Sequence, residues 1–483
     1  MKPSFASTSQ AFLGFPGAAL LRRFFSVCWS RNLELLMICI GAALRISMRY
    51  RFDPALSFDS DSHWEMLRWI AGHHALPPVD SLLQAQHPPL YYTLAAWLTN
   101  HGVSRAELVD FSVAFGIARL AMIWLALELH LTGKRCARVM ALALAAVIPA
   151  SIHLDGMNYP EPLSGLLNAC ALVLIPYAFR PSLAARYRFC VAAGVIFGLA
   201  MLTKISAVAC LGAIGVSALL ELLLSGRPWR ARVTESLGWA LFLATVLSVC
   251  GWYFARNVRD FGQPFMSSFE LHSEHYLAAS YDGVPILDRR SVGFWFGWSN
   301  EIYQWPYYPS GLQPHPRFFP VALASTFSDY WNFSFAGTKR GLVSPLNVLP
   351  DGILPRVFEA SRGSVIGGTV IALATLVAAF VALRTTLRRR DFGRLALVLV
   401  PLVTTAAALD FATKFPIDHY GVIKGEYMTF GAGPAYALFG LAAHWASQRV
   451  RRWPLLGLML GSLLLVASYS FYCRFRLTLL PSW

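Results

Sequence analysis

The chain has 483 residues, of which 56% are hydrophobic and only 14% charged, and its formal net charge is +15. An ordinary soluble domain carries about 25% charged residues and needs a polar exterior, so a mean hydropathy of +0.49 excludes a soluble globule, a disordered chain and a small disulfide scaffold. What remains is an all-α polytopic membrane protein of helices about 20 residues long, whose positive charge marks loops and sets topology and implies no nucleic-acid partner.

Residues 1–32 read as an uncleaved cytoplasmic arm carrying Arg22, Arg23 and Arg31, because no small-residue cleavage site follows their apolar stretch. Apolar runs that suit membrane spans follow at 33–48, 109–131, 138–153, 162–179, 188–203, 205–224, 235–254, 363–384, 395–411, 428–446 and 454–472. This predicts about eleven transmembrane helices. With the N-terminus inside, every inner connection is basic, from Lys134, Arg135 and Arg138 through Arg186, Arg227 and Arg390 to Arg449, Arg451 and Arg452. Residues 88–100 are too short to cross a core of about 30 Å, and are expected to form a helix lying at the outer surface. Two large outer regions result. The first is 49–108. The second, 255–362, lacks a long apolar run but is rich in aromatics, among them Trp295, Trp298, Trp305, Tyr307, Tyr308 and Trp331. The expected organisation is therefore an N-terminal catalytic module over 33–254, a long outer-face loop over 255–362 and C-terminal helices over 363–483.

Only six of the 41 basic residues are Lys, a bias that suits a GC-rich bacterial source, so the expected location is the bacterial inner membrane with the site on its periplasmic face. The eight Cys include no CxxC pair and read as small packing residues.

The residues with chemistry lie at outer helix ends. Asp59, Asp61 and His63 fall within five positions, just after the first span. Carboxylates there can act as a general base, hold a divalent cation or simply solvate a loop. His87-Pro88-Pro89-Leu90-Tyr91-Tyr92 follows, with two prolines that fix the backbone. The small second outer turn holds Asp155 and Glu161, the latter at a helix start where the dipole favours a negative charge. Lys204 separates two apolar runs, Arg256 ends the seventh, and Lys414 and Lys424 flank the last outer loop. Acids and cations on one face fit glycosyl transfer from a lipid phosphate: a carboxylate takes the acceptor proton while cations stabilise the departing phosphate. No GxSxG, Walker A or HExxH is present.

These residues resemble a known family. Residues 59–77 (DSDSHWEMLRWIAGHHALP), HPPLYY at 87–92, Asn158–Leu163 around Glu161, the turn Leu202-Thr203-Lys204, and Gly251–Asn257 (GWYFARN) are similar, in the same order, to motifs of the GT-C fold membrane glycosyltransferases of the protein mannosyltransferase and aminoarabinose transferase group. The resemblance implies a GT-C fold and a polyprenyl-phosphate sugar donor carried in the membrane lipid. It also implies Asp59 as the base, with Asp61 as the neighbour able to replace it, and Lys204 and Arg256 on the lipid phosphate. Glu161 and Asp155 would then position the acceptor or a metal, and His63, His87, Tyr91, Lys424 and Tyr427 would complete the substrate site. The metal is open; its ligands, if it is used, would come from Asp59, Asp61, Asp155 and Glu161. Two departures stand out: Asp59-Ser60 where the family has Asp-Glu, and Glu426 where the family has an Arg. Sugar and acceptor are not readable. The alternative is a transporter or flippase of a lipid-linked sugar, which should carry its ionisable residues near the midplane; a non-catalytic scaffold of the same fold is a third reading.

Overall fold

The structure, a computed structural model, describes residues 31–51, 59–78, 81–179, 183–271, 283–304, 317–330, 354–416 and 422–475. The N-terminal arm up to residue 30, and Trp305, Tyr307, Tyr308 and Trp331 of the long outer loop, lie outside them. The described residues contain helices and no strands.

A helix occupies each of the eleven apolar runs. In chain order the helices are α1 (Arg31–Arg51), α2 (Ser60–His73), α3 (Leu90–Asn100), α4 (Arg105–His130), α5 (Arg135–Val147), α6 (Pro149–Asp155), α7 (Glu161–Ala178) and α8 (Leu183–Thr203). They continue with α9 (Val208–Leu224), α10 (Trp229–Phe261), α11 (Phe318–Phe327), α12 (Leu354–Arg389), α13 (Phe392–Lys414), α14 (Ala432–Ser447) and α15 (Trp453–Phe475). Among the described residues, eight helical segments are long and apolar enough to cross a membrane, and α5 with α6 makes a ninth bent by 54°. The bend has a local cause: Ile148 is extended, and Pro149 starts a new helix because its ring cannot continue the old one. The other two runs fall short for different reasons. Helix α1 carries five charged residues along its 21 positions, and α14 has only 16 residues. Helix α3, 11 residues long, is the short surface helix expected over 88–100, with Trp97 57% exposed.

Small residues let the helices approach. A Cβ at Gly440 would overlap the carbonyl oxygen of Ala137, so α14 lies directly on α5, and a Cβ at Gly367 would meet the Ser462 carbonyl, which brings α12 onto α15. The outer faces keep large apolar side chains such as Leu247, Phe380 and Leu464 exposed, as a lipid-facing surface requires.

The basic connections gather at one end. Arg186, 1% exposed, pairs with Glu221 at 2.9 Å, Arg227 pairs with Glu235, and Arg390 donates to the Ser225 carbonyl at 3.3 Å. Arg138 donates to Glu34 at 2.9 Å across α5 and α1. From there α9 runs about 25 Å, at 1.5 Å per residue, to Lys204 at the opposite end, where the acidic loops also lie. Several of these arginines were read from sequence as loop charges, but buried acids hold them, so they also fasten neighbouring helices.

Candidate active site

Four chain segments meet at the end away from the arginines. Asp59 occupies the N-cap position of α2 but makes no capping bond with its side chain, so the carboxylate is left for other partners. Its backbone N–H donates to the Tyr159 hydroxyl at 3.0 Å. Glu161 begins α7 and pairs with Lys204, which stands at the break between α8 and a short 3-10 turn, Ile205–Ala207. Tyr427, on the 3-10 turn Gly425–Gly431 that leads into α14, lies between two cations. The Lys204 ammonium is 5.8 Å from its ring centre and that of Lys424 is 5.6 Å.

Asp59, His63, His87, Glu161, Lys204, Lys424, Glu426 and Tyr427 line one cavity of about 480 Å³. Burial pushes the Asp59 carboxyl above the usual carboxylate range, against the pull of Lys424 and Lys204. Burial draws the Lys424 ammonium down, but Tyr427, Asp59, Glu426 and Glu161 outweigh it and hold it above the usual lysine range. Glu426 is pushed up to about 7 by burial, with Glu161 and Asp329 adding to the effect against Lys424. His63 and His87 are held neutral: burial and Lys204 bring His87 to about 3, and burial, His87 and the two lysines put His63 well below its ordinary value. Neutral imidazoles act as hydrogen-bonding walls, and the His63 Nδ1 is 2.6 Å from the Tyr92 hydroxyl.

Four of the residues singled out by sequence stand elsewhere. Asp61 is at the surface, 84% exposed in its side chain and paired with Arg105 at 3.0 Å. Arg256 donates to the Pro77 carbonyl at 2.9 Å and faces Asp260 at 3.4 Å, so it fastens the residues after α2 without lining the cavity. Tyr91 is buried and donates to Asn158, which braces the loop before Glu161. Asp155 is buried within the helix bundle, where it accepts from Arg45 at 2.7 Å and from Arg119 at 2.8 Å. Both arginines line a second, largely apolar cavity of about 160 Å³. The four carboxylates considered for a metal therefore do not converge. Among the described residues no group of three or more His, Cys, Asp or Glu side chains is placed to hold a metal ion.

Other lining residues carried no motif. Gln84, Gln86, Ser206 and Thr404 enter the cavity, as do Asp410 and the pair Lys414–Glu270, joined at 2.7 Å. The place of Gln84 and Gln86 beside HPPLYY is the only sequence signal that pointed to them.

No protein-family model and no curated protein matches the chain. Solved structures do. The crystal structure of the Archaeoglobus fulgidus oligosaccharyltransferase in complex with Zn and sulfate aligns with a TM-score of 0.52 at 15% identity, over 91% of this chain and 53% of that one. Its apo form aligns with a TM-score of 0.50 at 14% identity, over 93% and 56%. ArnT from Cupriavidus metallidurans bound to undecaprenyl phosphate aligns with a TM-score of 0.37 at 18% identity, over 86% and 79%. The chain thus spans about half the length of the oligosaccharyltransferase. Its architecture is the GT-C fold of polytopic membrane glycosyltransferases.

Proposed function

We propose that this chain is an integral membrane glycosyltransferase. It moves a sugar from a polyprenyl-phosphate donor to a hydroxyl acceptor on a protein, lipid or glycan, at the outer face of a bacterial inner membrane. The observation that carries the reading is the shared cavity of Asp59, Lys204 and Lys424 at the end opposite the arginine-rich connections. The donor class follows from the motif resemblance.

In this reading Asp59 takes the proton of the acceptor hydroxyl. Its raised affinity for a proton, caused by burial, brings a carboxylate closer to the range useful for a general base. The acceptor oxygen attacks the anomeric carbon as the bond from that carbon to the phosphate oxygen breaks, and the electron pair leaves with the polyprenyl phosphate. Lys424, held protonated by its acidic neighbours, stabilises that phosphate together with Lys204. Lys204 then exchanges its pairing with Glu161 for the phosphate, which frees Glu161 to orient the acceptor. A single displacement inverts the anomeric carbon.

The test is product analysis. Purified protein with a polyprenyl-phosphate sugar and an acceptor mixture should release polyprenyl phosphate and give a glycoside of inverted configuration, read by NMR of the anomeric proton. Movement of an intact lipid-linked sugar across vesicles, with no bond broken, would overturn the reading in favour of a transporter.

A further inference from the structure

Five residues that line the cavity each carry a buried polar side-chain atom with no hydrogen-bond partner among the described residues: Oε1 of Gln84, Oε1 of Gln86, Oε2 of Glu161, Oγ of Ser206 and Oγ1 of Thr404. Gln84, Gln86 and Thr404 are more than nine-tenths buried, at 4%, 5% and 3% exposed. The two glutamines are also held in place through their backbone carbonyls. Tyr253 donates to the Gln86 carbonyl at 2.5 Å, and the His87 N–H donates to the Gln84 carbonyl at 3.0 Å. A buried polar atom left unpaired costs about 1–3 kcal/mol, and folded proteins seldom tolerate several together. Their concentration around one cavity points to a ligand that supplies the partners.

The chemistry of the set says what kind of ligand. Carboxylate and amide oxygens accept, and hydroxyls both accept and donate, so the ligand must offer several O–H or N–H groups on a compact body. Charge narrows it further. Lys204 and Lys414 are paired with Glu161 and Glu270, and the cavity also carries Asp59, Asp410 and Glu426 against Lys424. The wall accommodates the donor's phosphate on its lysines but opposes a second anion.

We propose that Gln84, Gln86, Ser206 and Thr404, with the free oxygen of Glu161, form the subsite for the transferred sugar, which takes a hydroxyl-rich ring that bears no carboxylate. This rests on the glycosyltransferase reading and adds the substrate class to it. Glu426, where the resembling family has an Arg, contributes to the rejection of an acidic sugar.

The experiment uses the full chain in detergent or nanodiscs. The donors are polyprenyl-phosphate glucose, mannose and galactose, the single-deoxy forms of whichever is consumed fastest, and polyprenyl-phosphate glucuronic and galacturonic acids. Wild type should consume a neutral hexose at least tenfold faster, in kcat/KM, than one of its deoxy forms and than either uronic acid. Gln84→Met and Gln86→Met should each reduce the hydroxyl-to-deoxy ratio to within about threefold of unity for one ring position, because the atom that read that hydroxyl is gone. Each ratio is measured within one preparation, so a loss of folded protein cancels, and Ser206→Ala gives a smaller-volume control of the same kind. Unchanged ratios in all three variants, or uronic acids consumed as fast as hexoses, would overturn the subsite while leaving the reaction class intact. Full turnover by Asp59→Asn would remove Asp59 as the base and leave the subsite standing, whereas consumption of no donor would overturn the reaction class and the subsite with it.

Discussion

The backbone N–H of Asp59 donates to the hydroxyl of Tyr159 over 3.0 Å, and this one bond joins two loops a hundred residues apart. The loop that carries Tyr159 also receives Tyr91 through Asn158 and presents Glu161 to Lys204. The segment from Gly156 to Glu161 is therefore the junction where the first acidic loop, the surface helix α3 and the end of α8 are set relative to one another.

Tyr159→Phe removes the acceptor for Asp59 and keeps the ring. A neutral hydrogen bond is worth about 0.5–1.5 kcal/mol net, so kcat should fall between about twofold and tenfold with KM nearly unchanged. Steady-state kinetics on a consumed donor read this directly. A larger rise in KM than fall in kcat would show that Tyr159 holds substrate and not the base.

Lys204→Met leaves Glu161 half-buried without its cation, whereas Lys204→Met with Glu161→Gln leaves neither charge. The double variant should therefore recover thermal stability relative to Lys204→Met, because an unpaired charge costs more than a missing pair. It should not recover turnover, because the leaving phosphate still lacks its ammonium. Melting temperature and kcat, measured on wild type, Lys204→Met and the double variant, separate the two effects.

Asp155→Asn strips the carboxylate that Arg45 and Arg119 share. Breaking a buried ion cluster in this way costs about 3–5 kcal/mol, so the loss should appear as a lower melting temperature and a reduced folded yield. The KM for donor should stay within about twofold. An altered KM at unchanged stability would return Asp155 to the substrate site, where the sequence reading put it.

The pH response isolates Glu426. Burial raises its carboxyl from 4.5 to about 7, so the stability it contributes is fully present below about pH 4.5 and is lost as pH rises to about 7. His63 and His87, lowered on folding, act oppositely and favour the folded state as pH rises toward 6.5. The difference between wild type and Glu426→Gln removes the histidine part. That difference in melting temperature should decline steadily from pH 4.5 to 7 and level off above; a flat difference would mean that Glu426 does not titrate there.

Helices at the eleven apolar runs were legible because such runs, bounded by basic loops, leave little freedom at a membrane. The number of spans was legible only in part, since among the described residues eight segments, or nine with the bent pair, are long and apolar enough to cross. The convergence of Asp59, Glu161 and Lys204 was legible as well, since each sits at a helix end and helix ends on one side of a bundle are neighbours. Asp155 and Glu161 share one short turn, yet Asp155 ends α6 and meets arginines of α1 and α4, whereas Glu161 starts α7 and meets the cavity. Which way such a residue turns depends on partners far along the chain. Arg45 and Arg119 lie inside apolar runs and gave no sign of a shared partner. Arg256 was chosen for its charge, but its hydrogen bond to the Pro77 carbonyl depends on tertiary packing. Gln84 and Gln86 bear no charge and complete no motif, so only their burial in the cavity wall distinguishes them.

The central claim is that Asp59 is the base in a cavity whose lysines hold the lipid phosphate. The most direct measurement is single-turnover consumption of a polyprenyl-phosphate sugar by saturating enzyme, with wild type and Asp59→Asn compared under identical conditions. The predicted result is a rate reduced by about a hundredfold or more, in line with the usual contribution of a general base, with donor binding retained. A rate within a few-fold of wild type would contradict it.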